Sequence, residues 1–297
     1  MAPTAITIRH RTIYRYRTPV RLQPHRLVLR PRESRELRLV GAELALTPEA
    51  SVTWAHDVFG NAVATASFAS PADELRIDSV SRIELDAPAW PVFSIAASAV
   101  AYPFPYSGDE RTDLGSLTLN QHLDVEGRLR AWARGFVMGD RTDTLSLLKD
   151  LNVGVWSGVV YEIREDEGTQ TPVETLSRRR GSCRDLATLF AEATRSLGFG
   201  ARVVSGYLYD PGQGLTGSAG AGSTHAWAEV YLPGAGWITF DPTNRSVGSA
   251  NLIPVAVARD IRQIMPVSGS YLGAGDAFSD MAVTVSVSGD ASATSGA

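Results

Sequence analysis

Cysteine is almost absent from this sequence. The chain has 297 residues and a single cysteine, Cys183, which rules out an internal disulfide and any zinc or iron–sulfur site built from several thiolates. A lone cysteine is most often a small buried apolar side chain. Its role therefore has to be judged from the residues around it.

Lysine is equally scarce, since Lys149 is the only one and the other basic residues are arginines. The formal net charge of −4 at pH 7 argues against a globally basic nucleic-acid binder. Residues 1–38 nevertheless hold ten arginines and only two acidic residues. Because such runs usually form a solvated or internally paired face, we expect that face here, with a patch for an anionic partner as the alternative.

Long apolar segments are missing as well. The first residues carry arginines where a secretory signal would carry its apolar stretch. The longest apolar region, residues 87–106, is interrupted by four prolines, so we do not expect it to span a membrane. The sequence thus predicts a cytoplasmic protein with neither a membrane nor a nucleic acid as partner.

Length and composition indicate a folded chain of about two domains. Hydrophobic residues make up 44% of the sequence and charged residues 20%, an ordinary globular balance. Short alternating segments in the first 86 residues predict a small antiparallel β-sandwich. We assign residues 1–105 to a β-rich domain with its linker, residues 106–288 to an α+β core with a C-terminal strand, and residues 289–297 to a disordered tail.

Helical periodicity begins after the linker. Apolar residues at spacings of three and four predict three helices. The stripes are Val125, Leu129, Trp132 and Phe136; then Leu148, Leu151, Val155 and Val159; then Leu186, Leu189, Phe190, Ala193 and Leu197. Ser182 precedes the third stripe with Asp185 three residues later, a capping-box arrangement that puts Cys183 at the first helical position.

After the third helix the periodicity changes to two. Three strands are predicted, over residues 202–209, 225–232 and 237–241. The separation between His225 and Asp241 is even, so a hairpin of the last two strands puts both side chains on one face of the sheet. The sequence therefore allows a histidine and an aspartate to meet there.

These residues fit a thiol-based catalytic unit. A thiol attacks as thiolate, a form that a helix N-terminus and a nearby imidazolium both favour. Cys183 has the helix terminus by position, and its backbone N–H is free to donate to an oxyanion. His225 is the candidate base, oriented by Asp241. Each of these three residues, taken alone, has an ordinary structural interpretation. Their occurrence together in this arrangement favours a catalytic triad.

Three segments resemble the motifs of the bacterial transglutaminase-like superfamily. The cysteine motif is matched by RGSCRDLA at residues 180–187, the histidine motif by THAWAEVYLPGAGW at residues 224–237, and the aspartate motif by FDPTN at residues 240–244. Their order is that of the family. HRTIYRY at residues 10–16 and DVFGN at residues 57–61 resemble the β-rich domain that precedes the core in these proteins.

The resemblance implies a papain-like α+β core, in which a helix carrying the cysteine packs on an antiparallel sheet, behind an N-terminal β-sandwich-like domain. It implies Cys183 as nucleophile, His225 as general base and acid, and Asp241 as its orienting residue. The implied reaction is hydrolysis of an amide or peptide bond through a thioester acyl-enzyme. Transamidation by the same triad is one alternative, and a non-catalytic peptide-binding module is another. Some relatives carry histidine in place of Thr188, which bears on the substrate pocket more than on the triad.

The candidate substrate-binding residues are Trp156, Trp227 and Glu229. Trp156 has an indole N–H that fits a second oxyanion donor, with packing on its helix as the alternative, and the other two share the strand face of His225. The segment Gly212–Gly222 is a candidate lid, with an idle surface connection as its alternative. The five histidines show no metal-binding spacing, so we expect no metal or cofactor and a peptide or protein amide as substrate.

Overall fold

The computed structural model of the protein describes residues 3–163, 168–210 and 223–289. Within these ranges the chain forms five α-helices and 18 strands. The helices are α1 (Gly108–Leu114), α2 (Arg128–Arg134), α3 (Thr144–Gly158), α4 (Pro172–Arg178) and α5 (Cys183–Ser196). The strands are β1 (Thr4–Leu22), β2 (His25–Leu27), β3 (Leu37–Thr47), β4 (Ala50–His56), β5 (Ala62–Phe68), β6 (Ala72–Leu85), β7 (Ala101–Tyr102), β8 (Thr142–Asp143), β9 (Val160–Tyr161), β10 (Arg180–Gly181), β11 (Gly200–Leu208), β12 (Thr224–Leu232), β13 (Gly236–Asp241), β14 (Ser246–Val247), β15 (Leu252–Ala258), β16 (Val267–Ser268), β17 (Tyr271–Leu272) and β18 (Phe278–Gly289).

Two antiparallel sheets form the N-terminal region. One has the order β17-β1-β6-β3, with β18 also paired to β1, and the other has the order β16-β2-β5-β4. The inward residues of β6 alternate along the strand as expected, and apolar side chains from both sheets, such as Leu27, Ala66 and Ile77, form one buried cluster. Since the cluster joins the two sheets, the predicted sandwich-like N-terminal region is confirmed.

Arginines of β1 find acidic partners on the neighbouring strands. Arg11 Nε lies 2.5 Å from Asp78 Oδ1 on β6, and Arg15 Nη1 lies 2.8 Å from Asp280 Oδ1 on β18. Such exposed pairs contribute little to stability. They make this part of the arginine-rich segment the internally paired face that we expected.

The C-terminal strand belongs to the N-terminal sheet. β18 pairs antiparallel with β1, with Ile8 opposite Val287 and Thr12 opposite Val283. The sequence analysis placed this strand with the core, since it follows the core along the chain. Periodicity within a strand does not reveal a partner at the other end of the sequence. Gly289 ends β18, and the rest of the predicted tail lies outside the described residues.

A five-stranded antiparallel sheet, ordered β14-β13-β12-β11-β15, forms the centre of the core. Helix α5 packs on β11 and β12 through a stripe that includes Leu189 and Ala193, against strand residues such as Ala228. The Phe190 ring lies 5.2 Å from the ring of Phe240 on β13. This arrangement confirms the expected core of a cysteine-bearing helix packed on an antiparallel sheet.

The first predicted helix is shorter than its stripe. Helix α2 begins only at Arg128, because Gly127 stands before it as N-cap with a left-handed φ of +68°. Val125 therefore precedes the helix and is 90% exposed, so its inclusion in the stripe was wrong. Helix α3 agrees with its prediction, with Leu148, Leu151 and Val155 all buried.

Candidate active site

Cys183 is the first residue of α5, and its helix turn is held by a buried carboxylate. Asp185 Oδ2 accepts hydrogen bonds from Ser182 N at 2.8 Å and from Ser182 Oγ at 2.9 Å. Gln170 donates from N to Oδ1 at 2.7 Å and from Nε2 to Oδ2 at 3.2 Å. Because Asp185 is fully buried and joins two chain segments, it fixes the backbone that carries Cys183.

A short parallel bridge holds another side chain beside this turn. β10 pairs with β9, so that Gly181 is the partner of Tyr161. A Cβ atom on Gly181 would come within 2.9 Å of Asp185 Cβ, which explains the glycine at this close approach. Burial and the charges of Cys183 and Asp241 raise the pKa of Tyr161. Tyr161 therefore belongs to the site, although the sequence analysis did not single it out.

His225 and Asp241 meet as the even spacing predicted. In the β12–β13 pair, Ala228 lies opposite Phe240, which puts Asp241 level with a residue two places from His225. His225 Nε2 lies 2.8 Å from Asp241 Oδ2, and both side chains are buried. A charge-assisted hydrogen bond in such a setting is strong.

The Asp241 carboxylate has further donors in the loop that follows it. Thr243 N donates to Oδ1 at 2.9 Å, and Asn244 Nδ2 donates to Oδ2 at 2.8 Å. Burial acts to raise the pKa of Asp241, but the His225 charge and the hydrogen bonds from His225, Asn244 and Thr243 outweigh it and lower the pKa. Asp241 is therefore an ionised carboxylate at neutral pH.

That carboxylate holds a proton on His225. Burial acts to lower the pKa of His225, but the Asp241 charge and hydrogen bond, reinforced by the side chain of Cys183, raise it to about 10. Since Asp241 engages Nε2, the ring nitrogen left for the thiol is Nδ1, which is buried and has no hydrogen-bond partner in the described part of the chain. The arrangement places an imidazolium between a carboxylate and a thiol.

Two family models match this chain. Residues 6–84 match the bacterial transglutaminase-like N-terminal region, and residues 130–242 match the transglutaminase-like superfamily. The chain therefore carries a transglutaminase-like N-terminal region followed by a transglutaminase-like core. The second match contains the cysteine helix, the histidine strand and Asp241. This match supports a thiol-dependent enzyme.

Similar proteins cover nearly the whole chain. An uncharacterized protein of Mycobacterium tuberculosis strain H37Rv is 29% identical over 289 residues, which are 94% of this chain and 91% of that protein. A shorter match, to an uncharacterized protein of Mycobacterium leprae, is 34% identical over 113 residues, 38% of this chain and 40% of that protein. The structure of a candidate cysteine protease from Cytophaga hutchinsonii has a TM-score of 0.73 at 17% identity and covers 97% of this chain and 91% of that one. This last likeness confirms the transglutaminase-like fold.

Two of the three candidate substrate-binding residues of this transglutaminase-like protein are engaged within the fold. Trp227 is 1% exposed and packs among residues such as Val204, with its ring 6.0 Å from that of His225. Glu229 is bound to Arg202 in an ion pair of 2.6 Å. Both share the strand face of His225, as predicted; Trp227 is covered there, whereas Glu229 is half-buried. Their contact with substrate stays a prediction.

Trp156 differs from these two because it reaches the surface. The buried stripe of α3 runs beside it and leaves Trp156 45% exposed. The Arg245 guanidinium carbon lies 4.8 Å from the centre of its ring, within the range of a cation–π contact. Trp156 is thus partly packed and partly accessible, and its role as an oxyanion donor stays a prediction.

Thr188 and the candidate lid Gly212–Gly222 are the remaining residues with a predicted bearing on the substrate pocket. Thr188 is 4% exposed, and its hydroxyl has no hydrogen-bond partner among the residues that the structure describes. It therefore does not line an open surface. The candidate lid Gly212–Gly222 lies outside the described residues.

The described residues contain neither a cluster of metal ligands nor a helix able to span a membrane. Across residues 3–163, 168–210 and 223–289, no three His, Cys, Asp or Glu side chains come together as metal ligands would. In the same ranges, no helix combines the length and apolar character that crossing a bilayer requires.

Proposed function

We propose that this transglutaminase-like protein hydrolyses an amide or peptide bond through a thioester on Cys183. His225 acts as general acid and base, and Asp241 orients and charges it. The observation that carries the proposal is the buried 2.8 Å contact between His225 Nε2 and Asp241 Oδ2, which leaves the buried Nδ1 for the side chain of Cys183. A histidine that only filled the core would have no need of a buried ionised partner.

Acylation begins from a thiolate and an imidazolium. Because the raised pKa of His225 keeps the ring protonated at neutral pH, its positive charge stabilises the thiolate with which Cys183 Sγ attacks. The attack forms a C–S bond and moves the carbonyl electrons onto oxygen, where the backbone N–H of Cys183 donates. Collapse breaks the C–N bond, and the leaving amine takes the proton from His225.

Deacylation runs the proton transfer in reverse. The now neutral His225 accepts a proton from water as its oxygen attacks the thioester carbonyl. A C–O bond forms, the C–S bond breaks, and the carboxylic acid leaves while thiolate and imidazolium are restored. An amine that replaces water would give transamidation with the same atoms.

Mass-spectrometric profiling of peptide and amide substrates tests this proposal. The wild-type protein is expected to form acyl adducts on Cys183, and Cys183→Ala is expected to lose turnover by at least about a thousandfold. Ser177→Ala, an exposed position on α4, serves as the matched control.

Three outcomes separate the alternatives. Transfer of a labelled amine in preference to water would replace hydrolysis by transamidation. Peptide binding by Cys183→Ser with unaltered affinity, and no adduct on the wild type, would indicate a binding module. Equal turnover by wild type and Cys183→Ala would overturn the proposal.

A further inference from the structure

Arg245 is held in an unusual backbone conformation next to the candidate catalytic aspartate. Its φ is +54°, and among the described residues only Arg179 shares a positive φ without being glycine. Non-glycine residues adopt this region when their surroundings hold them there, and they cluster at ligand sites. Arg245 follows Asn244, whose amide binds the carboxylate of Asp241.

The loop that carries Arg245 is fixed at both ends. On one side, Asn244 Nδ2 donates to Asp241 Oδ2 at 2.8 Å. On the other side, Asn152 Nδ2 donates to the carbonyl oxygen of Ser246 at 3.1 Å. Asn152 lies on α3, one turn before Trp156. The loop that holds Arg245 is thus tied to Asp241 on one side and, on the other, to the helix that carries Trp156.

The guanidinium of Arg245 is oriented but has no anion. It lies over the Trp156 ring at 4.8 Å, which leaves the N–H groups at its edge free to bind a ligand. No hydrogen bond or ion pair to Arg245 occurs within the described residues. By contrast, the exposed Arg178 and Arg180 near Cys183 pair with Glu174 and Glu162.

A second cation lies beside the nucleophile. Arg184 follows Cys183 in α5, is half-buried, and has no ion pair in the described part of the chain. The loop after Asp241 and the start of the helix that carries Cys183 therefore each present a positive charge with no ion pair among the described residues. Such a charge pattern attracts an anionic substrate and disfavours a cationic one.

We infer that Arg245, stacked on Trp156, binds a carboxylate of the substrate, so that the acyl donor carries an acidic group near the amide that is cleaved. The inference rests on the proposed function, because it assigns a property to the substrate of that site. A planar guanidinium matches a carboxylate with two parallel hydrogen bonds. Trp156 fixes the plane in which those bonds form.

Two alkylating reagents that differ only in charge test this inference. Iodoacetate carries a carboxylate where iodoacetamide carries an amide, and both modify Cys183 with loss of iodide. In Arg245→Gln, the ratio of the iodoacetate rate to the iodoacetamide rate is expected to fall about three- to tenfold. Arg245→Lys, which keeps the charge without the planar fork, and Trp156→Leu are expected to give smaller falls in the ratio. Added salt is expected to lower the wild-type ratio towards that of Arg245→Gln.

Arg9→Gln is the matched control, since it removes one exposed positive charge from β1 in the N-terminal sheet. An unchanged ratio in Arg245→Gln, or an equal fall in Arg9→Gln, would overturn the carboxylate site. Failure of the proposed function has a different signature, because His225→Ala would then leave both alkylation rates as they are in the wild type.

Discussion

At the scale of residues, the proposed chemistry depends most on the protonation state of His225. Its position depends on Asp241, whose carboxylate is buried and lies 2.8 Å away. Neither charge would be stable alone in this environment, because an unpaired buried ion carries a desolvation penalty of several kcal/mol. The pair therefore acts as a unit, and a change to one member alters the protonation of the other.

Replacement of Asp241 by asparagine removes the charge that raises the pKa of His225. The pKa of His225 is then expected to fall well below about 10, so the imidazolium that protonates the leaving amine is lost at a lower pH. We expect kcat/KM to drop by about a hundredfold or more at pH 7. The alkaline limb of its pH profile is also expected to shift downward.

The matched control for this prediction is Asp150→Asn, which removes an exposed carboxylate from α3. A profile for Asp241→Asn that retained the alkaline limb of the wild type would contradict the assignment. Hydrolysis of the best peptide from the substrate profiling, followed from pH 5 to 11, gives the limb directly.

The sequence contained enough to predict that His225 and Asp241 meet, because strand parity decides which face a side chain occupies. It also placed Cys183 at a helix start through Ser182 and Asp185. Asn244 and Tyr161 were missed for a physical reason. Their roles come from a loop conformation and from a two-residue strand bridge, neither of which produces a periodic pattern.

At the scale of elements, β11 has no room for a side chain at Gly206, where it lies beside β12. Gly206 on β11 pairs with His225. A Cβ atom there would lie 2.1 Å from the backbone oxygen of Ile253 and 2.7 Å from the Trp227 ring. The close approach of β15 and Trp227 thus supports the strand that positions His225.

Gly206→Ala is expected to destabilise the protein by about 1–3 kcal/mol, because backbone and ring must move to admit the methyl group. The measurement is the urea midpoint of unfolding at constant m-value. Gly41→Ala on β3 is the matched control, since nothing lies within 4 Å of its Cβ position. Equal midpoints for the two variants would contradict this account of β11.

Two features of the secondary-structure elements were not predicted from the sequence. They are the cover over Trp227 on β12 and the glycine N-cap at which α2 begins. Parity gave the correct face for Trp227, but β15 and the side chain of Phe59 cover that face, and a period of two does not reveal a cover. The late start of α2 depends on the left-handed Gly127. Sequence periodicity alone extends the helix to Val125.

At the scale of the whole molecule, the N-terminal sheets and the core are joined through a buried histidine. His10 Nδ1 on β1 lies 2.8 Å from the Tyr207 hydroxyl on β11, and His10 Nε2 lies 3.0 Å from Thr12 Oγ1. Burial lowers the pKa of His10 to about 4, so the ring is neutral at pH 7. Ile6 and Ile8 of β1 belong to the same buried cluster as the core residues.

His10 makes the stability of the protein depend on pH. Its pKa in the folded state lies below the ordinary value of 6.5, so the unfolded chain binds this proton first as the pH falls. Stability is therefore lost from pH 6.5 down to 4, by about 3 kcal/mol from this group. His10→Gln, which stays neutral, is expected to flatten this part of the profile.

Urea unfolding of wild type and His10→Gln at several pH values between 4 and 7 checks this prediction. His56→Gln, an exposed position on β4, serves as control. The account of this interface would be contradicted if the difference in unfolding free energy between wild type and His10→Gln stayed constant across the window.

The most direct test of the central claim is the pH dependence of Cys183 alkylation by iodoacetamide. An ordinary thiol reacts about tenfold faster for each unit of pH up to roughly 8.5. The proposed function predicts that Cys183 reacts at a nearly constant rate from pH 6 to 8 and that His225→Ala restores the steep rise. A steep rise already present in the wild type would contradict the thiolate–imidazolium pair on which the proposed function depends.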